Sequence, residues 1–485
     1  MTKTDIRKIV GIILDRTKAL GTEYADVRFE RIEDESLSIA DGTINPPEQA
    51  ASKGIGIRVI KNGAWGFAAT DDFSEASIKA KAALAAEIAE ASAMVNEKPV
   101  VLAENKPLKG EYVSPHEIDP FTVSLEEKIN FLSELDRVMA STGGEKINSR
   151  NCFADFRKRE KFFFSSDGAE IRQLLIQTGA GLSLGATRSH HDRMERSFPS
   201  SSGQYQSSGY ELLADLKMNE NIPRLVEEIG MLQAAEPCPE METILLLSGD
   251  QVSLQMHESV GHALELDRVF GAERNFSGTS FATPDKLGQL RYASDIVTIV
   301  CDPTAPGGLA SYAYDDEGVA TYRADLIRDG IMVNYLSSRE TAARIGKKST
   351  AAMRANSWSN VPIVRISNIN LVPGDKSFED ILSGIDRGIY MDTVKSWSID
   401  DERRYFQFGC EIGWLIEGGR LTAPIKNPTY SGCTVDFWNK CAAIADQDSY
   451  RIWGTPNCGK GQPGQNARTA QGASPARFDN VMVGG

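Results

Sequence analysis

Two of the chain's five histidines flank a glutamate in the segment His257-Glu258-Ser259-Val260-Gly261-His262. Neutral imidazole is a favoured ligand of zinc, and a carboxylate beside a zinc site can take a proton from the water that the metal activates. The metal lowers the pKa of that water towards about 7 and polarises the carbonyl group that the water attacks. The segment therefore predicts metal-assisted hydrolysis, with Glu258 as the general base.

The two histidines are spaced differently from those of the H-E-x-x-H zinc helix, which lie four positions apart, at i and i+4. At about 100° per residue, positions i and i+4 share one helix face, whereas i and i+5 lie about 140° apart. A regular α-helix therefore cannot direct both His257 and His262 at one ion. We predict either a π-bulge between them or a helix that loosens near Gly261, whose backbone is permissive.

Spacing does not identify the third ligand. Three acidic residues follow the motif closely, namely Glu265, Asp267 and Glu273, and the fold could bring any of the seven cysteines to the metal. Cys458 has unusual neighbours, because it lies in the glycine-rich stretch Asn457-Cys458-Gly459-Lys460-Gly461. Glycine permits close backbone approach, and Lys460 could help to hold a thiolate. The residue pattern leaves these choices open.

A strand and a turn must position the motif. Residues 242–247 are typical of a strand, and Ser248-Gly249-Asp250 forms the turn that follows it. Asp250 is a good N-cap for a helix that begins near Gln251. We therefore expect a partly buried, metal-binding helix directly after this strand.

Three regions are predicted along the 485 residues: an N-terminal α+β domain at 1–98, a central domain at 120–236, and a strand-rich C-terminal metallopeptidase domain at 240–485. Apolar periodicity predicts helices at 4–20, 74–93, 125–140 and 222–235, with antiparallel strands between them. Prolines at 99, 107, 115 and 120 indicate the first connection. Residues 197–208 are serine-rich and typical of a surface loop, and residues 363–371 predict a strand. The expected fold class is α+β.

Charge and cysteine content exclude some classes of function. The net charge of −14 argues against a nucleic-acid binder, since neutralising phosphates requires a basic surface. No stretch approaches the roughly 18 apolar residues that a membrane span needs, so no membrane partner is expected. Seven scattered cysteines without a CxxC pair indicate reduced thiols and a cytoplasmic protein.

Taken together, the motif, the segment Asp315-Asp316-Glu317-Gly318, the late Cys458-Gly459-Lys460 and the closing residues 478–485 resemble the TldD/PmbA metalloprotease family. The resemblance extends over essentially the whole chain. The PmbA branch lacks the metal motif, so the chain is similar to the TldD branch. The resemblance implies that His257, His262 and Cys458 bind Zn²⁺ and that Glu258 is the base. The stretch around Arg354 and the glutamine-rich tail depart from the family pattern.

The family likeness further implies an extended peptide substrate, bound by strand addition, and a dimer. The dimer would be a homodimer or a heterodimer with a metal-free PmbA-type relative. The leading hypothesis is a zinc-dependent peptidase that acts on unfolded or extended peptides. One alternative is a zinc hydrolase of non-peptide amides or esters. The other is a non-catalytic peptide-binding scaffold with a structural metal, although such sites usually have four protein ligands and this set has three.

Overall fold

The computed structural model of the chain describes residues 2–189 and 192–484. Within these residues, three large β-sheets carry helices on their faces, and the predicted α+β fold class is confirmed. Met1, His190, His191 and Gly485, which the predicted domains include, lie outside the described residues.

The first half of the chain forms a nine-stranded sheet. Its strands are β1 (Tyr24–Ala40), β2 (Thr43–Ile44), β3 (Glu48–Lys61), β4 (Ala64–Thr70), β5 (Lys109–Val113), β6 (Ser149–Ser165), β7 (Glu170–Ser189), β8 (Asp192–Phe198) and β9 (Gln204–Gln206). They follow the order β4-β3-β1-β6-β7-β5, with β2 beside β1 and with β8 and β9 beside β7. Its helices are α1 (Lys3–Ala19), α2 (Glu75–Ala93), α3 (Leu125–Gly143), α4 (Leu212–Asp215) and α5 (Met218–Ala234).

Long strands join the predicted N-terminal and central regions in this one sheet, because β1 pairs with β6 from Asp26 to Ala40. The predicted limits of the two regions stay a prediction. The serine-rich segment is less loop-like than expected. Strand β8 continues to Phe198 and β9 begins at Gln204, and Ser197 is buried where its hydroxyl donates to Glu411 at 2.7 Å.

The two faces of the nine-stranded sheet differ in chemistry, as the alternation within β1 requires. Val27 and Phe29 belong to an apolar core that includes residues of α1 and α2. Asp26 is buried among charged partners: it accepts from Arg58 at 2.6 Å, and Arg58 lies 3.4 Å from Glu317 of the C-terminal region. The D-D-E-G segment, to which Glu317 belongs, is therefore part of the contact between the two halves of the chain.

The second half of the chain contains the remaining elements. Its strands are β10 (Glu236–Pro237), β11 (Met241–Leu247), β12 (Ile299–Cys301), β13 (Ala324–Arg328), β14 (Ile331–Met332), β15 (Met353–Arg354), β16 (Ile363–Val364), β17 (Asn368–Leu371), β18 (Arg387–Ile399), β19 (Tyr405–Glu417), β20 (Arg420–Lys426), β21 (Thr429–Cys433), β22 (Cys441–Ile444), β23 (Arg451–Lys460), β24 (Gln465–Ala473) and β25 (Ala476–Gly484). Its α-helices are α6 (Gly249–Met256), α7 (Leu266–Val269), α8 (Arg339–Ala343), α9 (Phe378–Ser383) and α10 (Thr434–Asn439).

Two sheets of this half frame the site. One has eight strands in the order β10-β20-β19-β18-β11-β25-β21 with β22 beside β25, and pairing of β19 with β21 closes five of its strands into a small barrel. The other has six strands in the order β14-β13-β12-β17-β24-β23. The predicted strand at 363–371 is in fact two strands, because β16 pairs with β15 while β17 joins the six-stranded sheet. Helix α6 leaves the barrel strand β11 and runs between the two sheets, with contacts to β18 and β24.

Candidate metal centre and active site

Helix α6 begins earlier than predicted, and its N-cap is Ser248, not Asp250. The Ser248 hydroxyl accepts the N–H of Gln251 at 3.4 Å, and its backbone is extended, as an N-cap requires. Asp250 lies instead inside the first turn, where its Oδ2 accepts the N–H of Val394 in β18 at 3.0 Å. The prediction failed because both serine and aspartate are good N-caps, and Ser248 is the residue that directly follows the end of β11.

Five residues of the motif, His257–Gly261, form a π-helical turn, and a short 3₁₀ turn, His262–Leu264, follows. The N–H of His262 donates to the carbonyl of His257, the i to i+5 bond that defines a π-turn. The two imidazole rings consequently lie on one side, with centroids 4.9 Å apart. The π-bulge, the first of the two predicted solutions to the five-residue spacing, is confirmed.

Gly261 has a different purpose from the one predicted. Its φ is −55° and its ψ is −64°, an ordinary helical conformation, so its permissive backbone is not needed. A Cβ at this position would lie 2.7 Å from Cδ1 of Ile366 and 2.9 Å from Cδ1 of Ile369. Both isoleucines are fully buried, so their methyl groups have little room to move. Position 261 therefore requires glycine because a side chain would not fit against Ile366 and Ile369, and not because of its backbone conformation.

We expect Gly261→Ala to lower the free energy of unfolding by about 1–3 kcal/mol, because it overpacks a filled core beside the two histidines. Chemical denaturation of purified protein measures this change. Gly230→Ala is a matched control, because Gly230 also lies in a helix but has nothing within 4 Å of its would-be Cβ. That control should be neutral or slightly stabilising, and equal effects of the two substitutions would contradict the explanation.

A ladder of buried hydrogen bonds holds the side of α6 that faces away from the cleft. Gln251 Nε2 donates to the hydroxyl of Tyr430 at 2.9 Å, and that hydroxyl donates to Gln255 Oε1 at 3.0 Å. Ser259 Oγ then accepts from Gln255 at 3.1 Å and from the indole of Trp438 at 2.9 Å. Gln251, Gln255 and Ser259 are spaced four residues apart, so these bonds anchor one side of the helix up to and through the π-turn. Such a buried polar network favours one orientation of the motif, although Oε1 of Gln251 has no hydrogen bond among the described residues.

Three ligand-type side chains meet at the motif. The ligand atoms of His257, His262 and Cys458 all lie within 4.8 Å of one another, and Cys458 Sγ is 3.4 Å from His262 Nε2. All three residues are buried. Nδ1 of His257 is buried without a hydrogen-bond partner among residues 2–189 and 192–484, although buried polar atoms are normally paired. Two imidazoles and one thiol, with an imidazole nitrogen in need of a partner, fit zinc.

An irregular stretch of β23 delivers Cys458. The pairing of β23 with β24 shifts register between Thr455 and Cys458, and such bulges re-aim side chains. Arg365 donates to the carbonyl of Cys458 and to that of Gln465 at 3.0 Å, which joins both strands of the hairpin to the segment before β17. Burial would raise the pKa of Cys458, but His262, His257 and Arg365 hold the pKa of this thiol well below its ordinary value.

Lys460 does not hold the thiolate, contrary to the sequence-based expectation. Its Nζ lies 2.7 Å from Asp267 Oδ1, 2.6 Å from the carbonyl of Val364 and 3.4 Å from Glu265 Oε2. The alternation of side chains along β23 does not by itself reveal this, because the partners of Lys460 come from β16, from α7 and from the residue just before α7. The cation near Cys458 is Arg365, which no spacing argument singled out.

The three acidic residues that follow the motif were possible ligands by sequence, but they do not belong to the converging group of His257, His262 and Cys458. They bind other residues of the site. Glu265 Oε2 accepts from Nδ1 of His262 at 2.8 Å, which leaves Nε2 of that ring for the metal position. Burial would raise the pKa of Glu265, but Lys460 and His262 hold it well below its usual range. A carboxylate behind a ligating histidine fixes its tautomer and orientation. Asp267 binds Lys460, and Glu273 binds Arg268 at 3.0 Å.

Glu258 faces the same cleft as the three ligand-type groups. Its Oε2 accepts from Arg403 at 2.7 Å, whereas Oε1 has no hydrogen bond within the described chain and is not a buried atom. Burial would raise the pKa of Glu258, but His262, His257 and Arg403 lower it, so the carboxylate is ionised. Arg403 lies in the β18–β19 turn with a φ of +64°, and nothing in its sequence context marked it. Glu258 is thus held at one oxygen and open at the other.

A cleft of about 450 Å³ opens over this group. Its walls are the outer part of β18, the bulged part of β23, one side of α6 and the β8–β9 connection. The lining residues are Ser200, Ser201, Ser202, Asp250, Ser253, Leu254, His257, Glu258, His262, Val394, Trp397, Ser398, Ile399, Arg403, Trp453, Gly454, Thr455, Asn457, Cys458 and Gly459. The three ligand-type groups and Glu258 therefore line the same cleft.

Asp250, on the wall of this cleft, has an unusual charge state. Burial, with the nearby carboxylates of Asp392 and Glu411, raises the pKa of Asp250 to about 7 despite its bond from Val394. A carboxyl whose pKa is raised by folding binds its proton more tightly in the folded state. Folding stability is therefore lost as pH rises from the unfolded value near 4 to about 7, by at most about 4 kcal/mol.

We accordingly expect Asp250→Asn to become more stable relative to the unaltered protein as pH rises from 4.5 to 8. Denaturant unfolding at several pH values measures the difference. Burial raises the pKa of Glu411 to about 7 as well, but Glu411 is present in both proteins, so the comparison isolates Asp250. A difference in stability that does not change with pH would contradict the assignment.

Comparison with known proteins gives three matching family models. They are PmbA/TldA metallopeptidase domain 1 at residues 25–89, the central domain at 118–232, and the C-terminal domain at 241–485. A metalloprotease of Methanocaldococcus jannaschii is 30% identical over 422 residues, which are 87% of this chain and 89% of the relative. A protein of Saccharolobus solfataricus named a zinc metalloprotease TldD homolog is 24% identical over 97% of this chain and 99% of its own.

Among solved structures, TldE from Thermococcus kodakarensis superimposes with a TM-score of 0.76 at 17% identity, covering 98% of this chain and all of that one. At this identity, the likeness shows the fold alone. In the described part of the chain, no helix is long and apolar enough to cross a membrane.

Proposed function

This chain belongs to the PmbA/TldA metallopeptidase family, also called TldD/PmbA, and from that premise we propose that it is a zinc-dependent peptidase acting on unfolded or extended peptides. The observation that carries the proposal is the convergence of three buried ligand-type side chains, His257, His262 and Cys458, beneath a cleft that Glu258 also faces. Three protein ligands leave a fourth position open, which is typical of catalytic and not of structural zinc sites.

In this mechanism, His257, His262 and Cys458 would hold the metal, and Glu265 would keep His262 in the required tautomer. Bound zinc supplies a Lewis acid that brings the pKa of a water towards about 7 and polarises the peptide carbonyl. Glu258 would take a proton at its open Oε1 from the attacking water and later give that proton to the leaving amine. Arg403, bonded to the other oxygen, fixes the direction in which Glu258 points.

An extended peptide would bind between two strand edges. Strand β11 pairs with β18 only from Gly388 to Met391, so the outer part of β18 from Val394 to Ile399 faces the cleft with one edge. On the other side, β23 ends the order of the six-stranded sheet; Gln204 bonds to the main chain of Ile452 and Gly454, and the part of β23 from Thr455 onward lines the cleft. Free edges accept an added strand through main-chain hydrogen bonds, which requires no particular substrate sequence. This arrangement favours a peptide over a small amide or ester.

The test is hydrolysis of denatured protein fragments by zinc-loaded enzyme, with products identified by mass spectrometry, alongside a panel of small amide and ester substrates. Peptide cleavage that chelation abolishes and added zinc restores is the expected result. Hydrolysis of the small substrates without peptide cleavage would favour the non-peptide hydrolase. Peptide binding without any hydrolysis would favour the scaffold.

We further propose a cytoplasmic dimer. Each of the seven cysteines is a free thiol, and six of them are buried, which supports a reducing compartment. The dimer, either of two copies or with a metal-free PmbA-type relative, rests on the family resemblance. Light scattering of the purified chain, alone and mixed with such a relative, measures the assembly, and a monomer under both conditions would contradict it.

A further inference from the structure

Asp250 lies on the cleft wall with one oxygen uncommitted. Its side chain is 6% exposed, and Oδ2 accepts from the N–H of Val394. Oδ1 has no hydrogen bond to any residue that the structure describes, and it is not a buried atom, so it reaches the cleft. A carboxylate that is nine-tenths buried, with a free oxygen directed at a binding cleft, is a recognition group in need of a donor.

Arg196 is the cation that lowers the pKa of Asp250, but it already forms ion pairs with other carboxylates. Arg196 binds Glu228 at 2.7 Å, Glu411 at 2.9 Å and Asp392 at 3.0 Å. Three carboxylates thus surround one buried guanidinium before Asp250 is considered, and within residues 2–189 and 192–484 Asp250 forms no ion pair. Without a paired cation, burial and the neighbouring carboxylates raise the pKa of Asp250 to about 7, so a positively charged ligand in the cleft would favour its ionised form.

Helix geometry sets the separation along the cleft between the backbones of Asp250 and His257. Asp250 precedes His257 by seven residues, and at 1.5 Å per residue the helix separates them by about 10 Å. An extended peptide rises about 3.3 Å per residue, so this distance corresponds to about three residues. Leu254, Trp397 and Trp453 also line the cleft, and Trp397 is 54% exposed. Such apolar walls suit the methylene stem of a long cationic side chain.

We propose that Asp250 is a specificity-determining residue that binds a cationic group of the substrate about three residues from the bond that is cut. The group is a lysine or arginine side chain or the free α-amino group of the peptide, since all present the same charge-bearing donors. The inference rests on the proposed peptidase function for its substrate class. It goes beyond that function in stating which peptides the cleft prefers.

The experiment compares affinities, so it does not depend on cleavage. Fluorescent peptides carry either lysine or its neutral isostere norleucine at each of several positions, with the amino terminus free or acetylated. Binding is measured by anisotropy to zinc-loaded Glu258→Gln protein, with and without Asp250→Asn. We expect lysine to bind at least about tenfold more tightly than norleucine at one position, and Asp250→Asn to remove that preference while barely changing the norleucine peptide. A preference that depends on the free amino terminus instead identifies the α-amino group as the cation.

Glu242→Gln is the matched control, because it removes an exposed carboxylate on the preceding strand and should leave the preference unchanged. An equal preference in Asp250→Asn, or no preference for either cation in the unaltered cleft, would overturn the proposal. If Asp250→Asn does not fold, Asp250→Glu keeps the charge but displaces it, and an unchanged preferred position in that variant would overturn it as well. Failure of the unaltered enzyme to cleave any peptide would count against the peptidase function alone, since the affinity ratio is still measured.

Discussion

Replacing Glu258 with glutamine is expected to lower kcat for peptide hydrolysis by roughly 10²–10⁴-fold, the usual contribution of a positioned general base. Glutamine has nearly the same shape and can still accept from Arg403, but it cannot take a proton at its open end. Bound zinc should stay at the level of the unaltered protein, because Glu258 is not among the three converging ligand-type groups. Steady-state kinetics and metal analysis of the same preparation measure the two quantities.

A control for charge is available on the nearby hairpin turn. Glu402 is exposed, adjacent to Arg403 in sequence and outside the cleft lining, so Glu402→Gln should leave kcat within about twofold. If Glu258→Gln kept full activity with its zinc in place, the general base would have to be another group. A loss of zinc in Glu258→Gln would instead make this residue part of the metal shell.

The local features of the site were predictable because they follow from helix geometry. Imidazoles five residues apart cannot share an ion on a regular α-helix, and the π-turn at His257–Gly261 is the direct consequence. The preceding strand was equally clear, since residues 242–247 correspond to β11 within one residue. The N-cap was not predictable, because serine and aspartate are about equally good N-caps. Only the position at which β11 ends selects Ser248 over Asp250.

The long-range contacts of the site could not be predicted from the sequence, because they depend on which strands become neighbours in the sheets. Cys458 joins the histidines because β23 pairs with β24 and β24 with β17, a chain of pairings that the sequence does not encode locally. Its glycine-rich context made Cys458 one candidate, and the family resemblance selected it from the candidates. Arg403 reaches Glu258 from a hairpin turn 145 residues later, and Lys460 turns to Asp267 instead of the thiol. Gly261 was noticed for its backbone but is needed for space.

Replacing Cys458 with alanine is expected to abolish stoichiometric zinc binding and, with it, peptide hydrolysis. The variant keeps two imidazoles but loses the thiolate that His262, His257 and Arg365 stabilise. Affinity should fall by more than the 10- to 100-fold typical of changes behind the ligands, since a ligand itself is removed. Bound zinc also stabilises the folded state that binds it. Chelation should therefore lower the melting temperature of the unaltered protein but not that of Cys458→Ala, a readout independent of activity.

Cys433→Ala is the control for loss of a thiol, because Cys433 is half-buried and is not in the converging group. It should keep both zinc and the response to chelation. His262→Ala should behave as Cys458→Ala does, because three ligands acting on one ion are not additive and either loss dismantles the set. If Cys458→Ala retained zinc and its response to chelation while His262→Ala lost both, the third ligand would lie elsewhere. Glu265, which already bonds to His262, would then be a candidate for that ligand.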